Sequence, residues 1–184
     1  MIGIFAILIL ALDFAISIWN AYASGYNIGI LRKGSPSSFS KVAAYSGLAL
    51  AFTGITYVLV VVLSFIAYAL QYVGIGVVEY ALAFDFVVFG LMIIGFGLMI
   101  TIQSIELAVK RKSFGSILVA IWNTFAEVWD IASYVEGFKA SVSMLKGNRE
   151  SRSNALVIVL VAVLIAYFIT HAAYKHGLSK AEAH

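Results

Sequence analysis

The chain contains no cysteine, which excludes disulfide bonds, thiolate metal sites and cysteine nucleophiles. Histidine is almost as scarce, because the three histidines (His171, His176 and His184) all lie near the C-terminal end. A bis-histidine haem site, or a histidine metal cluster built from several helices, is therefore excluded. The sequence predicts no bound cofactor.

Charged residues are also few. They make up 11% of the 184 residues, whereas soluble domains usually carry about 25%. Hydrophobic residues make up 62%, and the mean hydropathy is +1.00. Such a chain cannot cover its surface with polar groups, so the excess apolar surface must face lipid. The composition predicts an all-α integral membrane protein, a single transmembrane helical domain over residues 1–184.

The basic residues that are present lie between long hydrophobic runs. A net charge of +3 would suggest nucleic-acid binding in a soluble protein, but membrane proteins concentrate lysine and arginine in cytoplasmic loops. We therefore expect the loops 32–41 and 109–113 to be cytoplasmic and the N-terminus to lie outside a cell membrane. The expected partner is the lipid bilayer, and we expect no binding of nucleic acid.

Motifs typical of membrane enzymes are missing from the sequence. It has no HExxH, no GxSxG and no lysine in the middle of a hydrophobic run for a retinal Schiff base. No phosphate-binding loop is present either, since Gly90, Gly95 and Gly97 follow no strand and precede no Walker lysine. We expect no catalytic activity, although an intramembrane enzyme acting on lipid stays open as an alternative.

Hydrophobic runs predict the membrane spans. A hydrocarbon core about 30 Å thick requires about 20 apolar residues of a helix. Four runs meet this requirement, near residues 2–24, 42–72, 81–108 and 155–174. Ala43, Gly47 and Ala51 form a stripe of small residues in the second run, which favours close packing of helices.

The segment 115–138 is harder to place. Asn123, Glu127, Asp130 and Tyr134 follow one another at helical spacing, so they form one polar stripe on an amphipathic helix. This helix either spans the membrane with the stripe inside the bundle or lies on the cytoplasmic surface.

Two rules disagree about this segment. A surface helix would put ten of the twelve basic residues on one side, against eight if it spans, so the charge rule favours the surface. Surface helices, however, usually carry basic polar faces, and this stripe is acidic until Lys139, which favours a span. The sequence therefore predicts four or five transmembrane helices.

Four acidic residues lie within the predicted spans, namely Asp13, Asp85, Glu127 and Asp130. An acidic residue at the centre of a span costs about 2.5–3.5 kcal/mol on insertion, and no lysine or arginine lies in mid-span to pair with them. These carboxyls must therefore be protonated and hydrogen-bonded, face a hydrated cavity, or hold a cation. Asp13 and Glu127, each near the centre of its run, could meet at the midplane.

Asn20 and Asn123 could add neutral oxygen ligands to these carboxyls. Such hard oxygen donors suit protons, sodium, calcium or magnesium, which leaves the identity of any metal unknown. The structural alternative is that the same side chains join helices through interhelical hydrogen bonds.

Two functions follow from these residues. The first is a small channel or transporter that handles a proton or hard metal cation through its intramembrane carboxylates, working as a homo-oligomer. The alternative is a non-catalytic subunit that scaffolds a larger membrane complex, such as a respiratory assembly.

Overall fold

The computed structural model describes residues 2–34, 37–147 and 149–183, with the side chains of all of these except residues 2–6 and 149. Within these ranges the chain forms five α-helices: α1 (Ile2–Arg32), α2 (Ser38–Ala69), α3 (Ile75–Arg111), α4 (Phe114–Gly147) and α5 (Arg152–Glu182). A short 3-10 turn, Arg149–Ser151, precedes α5. Pro36 of the predicted loop, Asn148 and His184 lie outside the described residues. The predicted all-α class is confirmed.

Four of these helices, α1, α2, α3 and α5, are long and apolar enough to cross a membrane. The helices extend beyond most of the predicted spans, but α2 ends at Ala69, before the predicted limit of residue 72. Leu70 is the C-terminal cap, and Gln71 follows it with a positive φ of 60°, outside the helical range. At the other end, the Ser37 side chain accepts a hydrogen bond from the Ser40 backbone and caps α2.

Small residues form the centre of the bundle, and large apolar residues lie on its outside. Ala21, Ala51 and Ala162 are fully buried, whereas Leu91 and Leu160 are 62% and 61% exposed. This distribution is expected in lipid, where helices associate by close backbone approach and large side chains face hydrocarbon. It confirms a membrane-embedded helical bundle.

Consecutive helices run in opposite directions, so that α1 and α5 are parallel. Gly25 of α1 lies against Tyr174 of α5, and Gly29, one turn further on, lies against Leu178 and Ala181. At the same end, Lys33 Nζ donates a 2.6 Å hydrogen bond to the Ala181 carbonyl. The C-terminal ends of α1 and α5 therefore lie together.

Glycine makes the contact between α1 and α5 possible. A Cβ atom on Gly25 would overlap the backbone carbonyl of Tyr174, and one on Gly177 would overlap the backbone carbonyl of Tyr22. Close approach of this kind strengthens van der Waals packing between helices where no hydrophobic force drives association.

The helix α4 lies antiparallel along α3. Thr101 of α3 hydrogen-bonds the Asn123 carbonyl, and the Tyr134 hydroxyl donates to the Val87 carbonyl at 3.1 Å. The polar stripe predicted on α4 thus faces α3, while apolar residues such as Trp129, 65% exposed, cover its other faces. The contact extends beside the apolar middle of α3.

Candidate functional site

A cavity of about 400 Å³ lies between α1, α2, α3 and α4. α2 and α3 pack against each other, while α1 packs on α2 and α4 packs on α3. α1 and α4 therefore form the two sides of the cavity, and α2 and α3 form its base. Three carboxylates line it, one each from α1, α3 and α4: Asp13, Asp85 and Asp130.

Asp85 is the most unusual of the three. It is 1% exposed, and neither of its carboxylate oxygens has a hydrogen-bond partner among the described residues. Buried polar groups are normally hydrogen-bonded, because leaving one unpaired forfeits its hydration without compensation. An unpaired carboxylate that lines a cavity indicates that a proton, water or a ligand satisfies it there.

Asp13 and Asp130 lie on opposite sides of the cavity. They are close enough for their charges to interact, and Tyr57 of α2 is within electrostatic reach of both Asp13 and Asp85. In the described parts of the chain no lysine, arginine or histidine forms an ion pair with any of the three aspartates. Within the described residues, the three carboxyls therefore share the cavity without a basic side chain to neutralise them.

Aromatic rings form much of the remaining wall, contributed by Tyr57, Phe86, Trp129 and Tyr134. Tyr134 stacks on Phe86 with ring centroids 5.4 Å apart, and its hydroxyl is fixed to α3 by the hydrogen bond to Val87. Gly90 leaves the space for this ring, since a Cβ there would lie 2.8 Å from two Tyr134 ring carbons. The wall at α4 is thus held rigidly against α3.

Glu127 lies outside the cavity lining. It is 4% exposed and packs against Gly97 of α3, where a Cβ atom would overlap its Oε2 atom. Its Oε1 atom has no hydrogen-bond partner among the residues described. The structure therefore does not bring Glu127 to Asp13; Asp130, almost one turn further along α4, faces the cavity instead.

The two candidate amides are not among the cavity-lining residues either. Asn20 is half-buried on α1, two turns after Asp13, and Asn123 contacts α3 through its backbone carbonyl. The other oxygen-bearing side chains that line the cavity with the aspartates are the hydroxyls of Ser17, Ser133, Tyr57 and Tyr134.

The carboxylates surround the cavity without converging on one point. Over the described ranges, no group of three histidine or acidic side chains lies close enough to hold a metal ion. The arrangement can carry protons between carboxyls through hydroxyls and water, or bind a cation large enough to reach several walls.

Sequence reasoning missed Tyr57, Ser17 and Ser133. Tyr57 is a tyrosine in the middle of a run without charge, and a buried hydroxyl in hydrocarbon requires a polar partner. This requirement was the feature of the sequence that could have indicated Tyr57 as a site residue. The serines gave no such indication, because small hydroxyl residues are common in ordinary helix contacts.

Comparisons of this chain with protein-family models, with curated proteins and with solved structures find no match.

Proposed function

We propose that this protein transports a cation, and that the ion or a coupled proton binds at Asp13, Asp85 and Asp130. The observation that carries the proposal is Asp85, a buried and unpaired carboxylate in a cavity within the apolar part of the bundle. Ionisable residues inside a membrane are expensive, and those that face a cavity characteristically mark ion pathways and proton relays.

The proposal includes five membrane crossings, with α4 as the fourth. The antiparallel contact of α4 with α3, beside the middle of a spanning helix, supports a crossing, and the parallel direction of α1 and α5 supports an odd number of crossings. The loops 32–41 and 109–113 then lie on the same side as the end of α5. This side carries eight of the twelve basic residues and is assigned to the cytoplasm.

In this topology the carboxylates sit between the centre of the bilayer and the outer surface. Asp130 lies at the middle of α4, and Asp85 lies eleven residues into α3, counted from its outer end. A proton can pass between carboxyls, with Tyr57 as an intermediate hydroxyl. The cavity then serves as a binding site at membrane depth, where movement of α1 would change its access.

Flux through proteoliposomes tests the function. The purified protein is reconstituted, and proton and cation fluxes are followed with an internal pH dye and by tracer uptake. We expect Asp85→Asn to lower the flux about tenfold or more, because neutralising the carboxylate removes both its charge and its proton. Asp130→Asn should act in the same direction.

The matched control is Glu106→Gln. Glu106 forms an ion pair with Lys110 near the end of α3, away from the cavity, so its neutralisation should leave the flux unchanged. If intact protein carries no cation or proton flux and purifies with other membrane proteins, the transport proposal is wrong and the scaffold alternative is favoured.

A further inference from the structure

The size of the cavity indicates the kind of cation that it binds. Calcium and magnesium are held by six to eight oxygens at about 2.0–2.6 Å, which requires carboxylates that converge on one point. Here the carboxylates are distributed around a cavity of about 400 Å³, and in the described residues no three acidic or histidine groups converge. A volume of this size is typical of a site for a small organic molecule.

The lining of the cavity gives the chemistry of that molecule. Four aromatic rings and three aliphatic side chains share the wall with the aspartates; the aliphatic ones are Ile16, Leu50 and Ile93. Electron-rich ring faces attract ammonium groups, and the attraction is stronger where water is excluded. Rings beside unpaired carboxylates therefore fit a cation that has apolar substituents.

The cavity opens sideways between α1 and α4. Asp13 and Trp129 both line it and both are exposed, and each lies well inside its helix and away from the helix ends. At that level the outside of the bundle is apolar, so the opening faces hydrocarbon. A cation that dissolves in the membrane can reach the carboxylates by this route.

We propose that the cavity binds a lipophilic organic ammonium ion, with its charge among Asp13, Asp85 and Asp130 and its apolar groups on Tyr57, Phe86, Trp129 and Tyr134. This proposal rests on the proposed transport function and specifies its substrate class.

Binding of benzyltrimethylammonium tests the proposal directly. A protein with Trp19→Phe and Trp122→Phe retains Trp129 as its single tryptophan, which reports on the cavity by fluorescence. We expect a saturable change in fluorescence on titration. Neopentylbenzene, which has the same shape without the charge, should bind about tenfold more weakly or not at all.

Variants locate the binding site. Asp85→Asn should weaken binding of the probe about tenfold or more, and Tyr57→Leu about threefold or more, by removing a charge and a ring respectively. The controls are Glu106→Gln and Tyr68→Leu, both outside the cavity lining, which should bind as the parent does. If Asp85→Asn fails to fold by circular dichroism, Tyr57→Leu against Tyr68→Leu provides the same test.

Two outcomes would overturn the inference. One is equal binding of the charged probe and its neutral analogue, and the other is full displacement of the probe by millimolar sodium or calcium. Proton or metal flux in proteoliposomes without saturable probe binding would reject the organic cation and leave the transport proposal intact. Saturable binding that requires Asp85, without flux of any cation, would reject transport instead.

Discussion

At the scale of single residues, Asp85 separates a functional site from a structural contact. A carboxyl that joined helices would form a hydrogen bond across the interface, and its loss would destabilise the bundle. Asp85 forms no such bond among the described residues, and both of its oxygens are buried. Its burial therefore opposes folding and is consistent with a residue retained for binding.

This difference gives a prediction for stability. Asp85→Asn replaces an unpaired acid with a neutral side chain of nearly the same shape, so we expect the free energy of unfolding to rise by about 1 kcal/mol or more. Thermal unfolding of the purified protein, followed by circular dichroism, measures the change. Glu106→Gln is the control, because the Glu106 side chain is partly exposed near the end of α3 and its ion pair with Lys110 should contribute little to stability.

A lower melting temperature for Asp85→Asn would identify Asp85 as a structural contact. Combined with the flux assay, the measurement distinguishes a variant that is inactive because it is unfolded from one that is more stable and inactive. Only the second pattern supports a binding role.

Of the four acidic residues that the sequence singles out, the three aspartates line the cavity, and Glu127 packs against Gly97. Scarcity of charge was the useful signal, because an acid in a hydrophobic run is costly whatever the fold. Which of two acids less than one turn apart faces the cavity depends on how α4 is rotated against α3. That rotation follows from the contact of Gly97 with Glu127 and of Gly90 with Tyr134, which link distant parts of the sequence.

At the scale of elements, the contact between α3 and α4 depends on Gly97. Ala at this position would place a Cβ atom on Glu127 Oε2, whereas a Cβ on Gly95, two residues earlier, would meet nothing within 4 Å. We expect Gly97→Ala to be the less stable of the two variants, because the buried Glu127 carboxylate must move to make room for the methyl group. Gly95→Ala should be neutral or stabilise by up to about 1 kcal/mol, because alanine favours the helix.

Thermal unfolding of the two variants side by side measures this difference. Since both exchange glycine for alanine on the same helix, the intrinsic helix preference cancels and the difference reports the packing of α4 on α3. Equal stability of the two variants would contradict the close contact with Glu127.

Helix positions were predictable, and helix ends were not. Apolar runs locate the hydrocarbon-spanning part of each helix, since that length is imposed by the bilayer. The helices of 31–37 residues continue past it, and their ends depend on local features such as the Ser37 cap and the left-handed Lys112 that ends α3. Such features do not follow from hydropathy.

At the scale of the whole molecule, the number of crossings decides where the cavity lies. The distribution of basic residues favours a surface position for α4, and the acidic stripe favours a crossing. The two disagree because each depends on a single property of this segment. The direction of α5 relative to α1, by contrast, depends on the number of crossings made by the whole chain. With four crossings α5 would run antiparallel to α1, and Ala181 would lie on the opposite side of the membrane from Gly29.

A cross-link between these two residues tests the arrangement in a chain that has no native cysteine. A Cβ atom built on Gly29 lies 2.5 Å from the Ala181 Cβ, so the cysteine pair Gly29→Cys and Ala181→Cys needs a separation of about 1 Å more to form a disulfide. We expect oxidation in membranes to form this disulfide. If the chain is then cleaved between α1 and α5, the two fragments should stay linked on a non-reducing gel.

The control pair is Gly29→Cys with Ala155→Cys. Ala155 is also buried on α5, but it lies 26 residues before Ala181, or about 39 Å along the helix. Efficient linkage of residues 29 and 181 with none to residue 155 requires parallel α1 and α5, and hence a crossing by α4. The reverse pattern would place α4 on the surface, separate Asp130 from Asp13, and remove one side of the cavity on which cation binding depends.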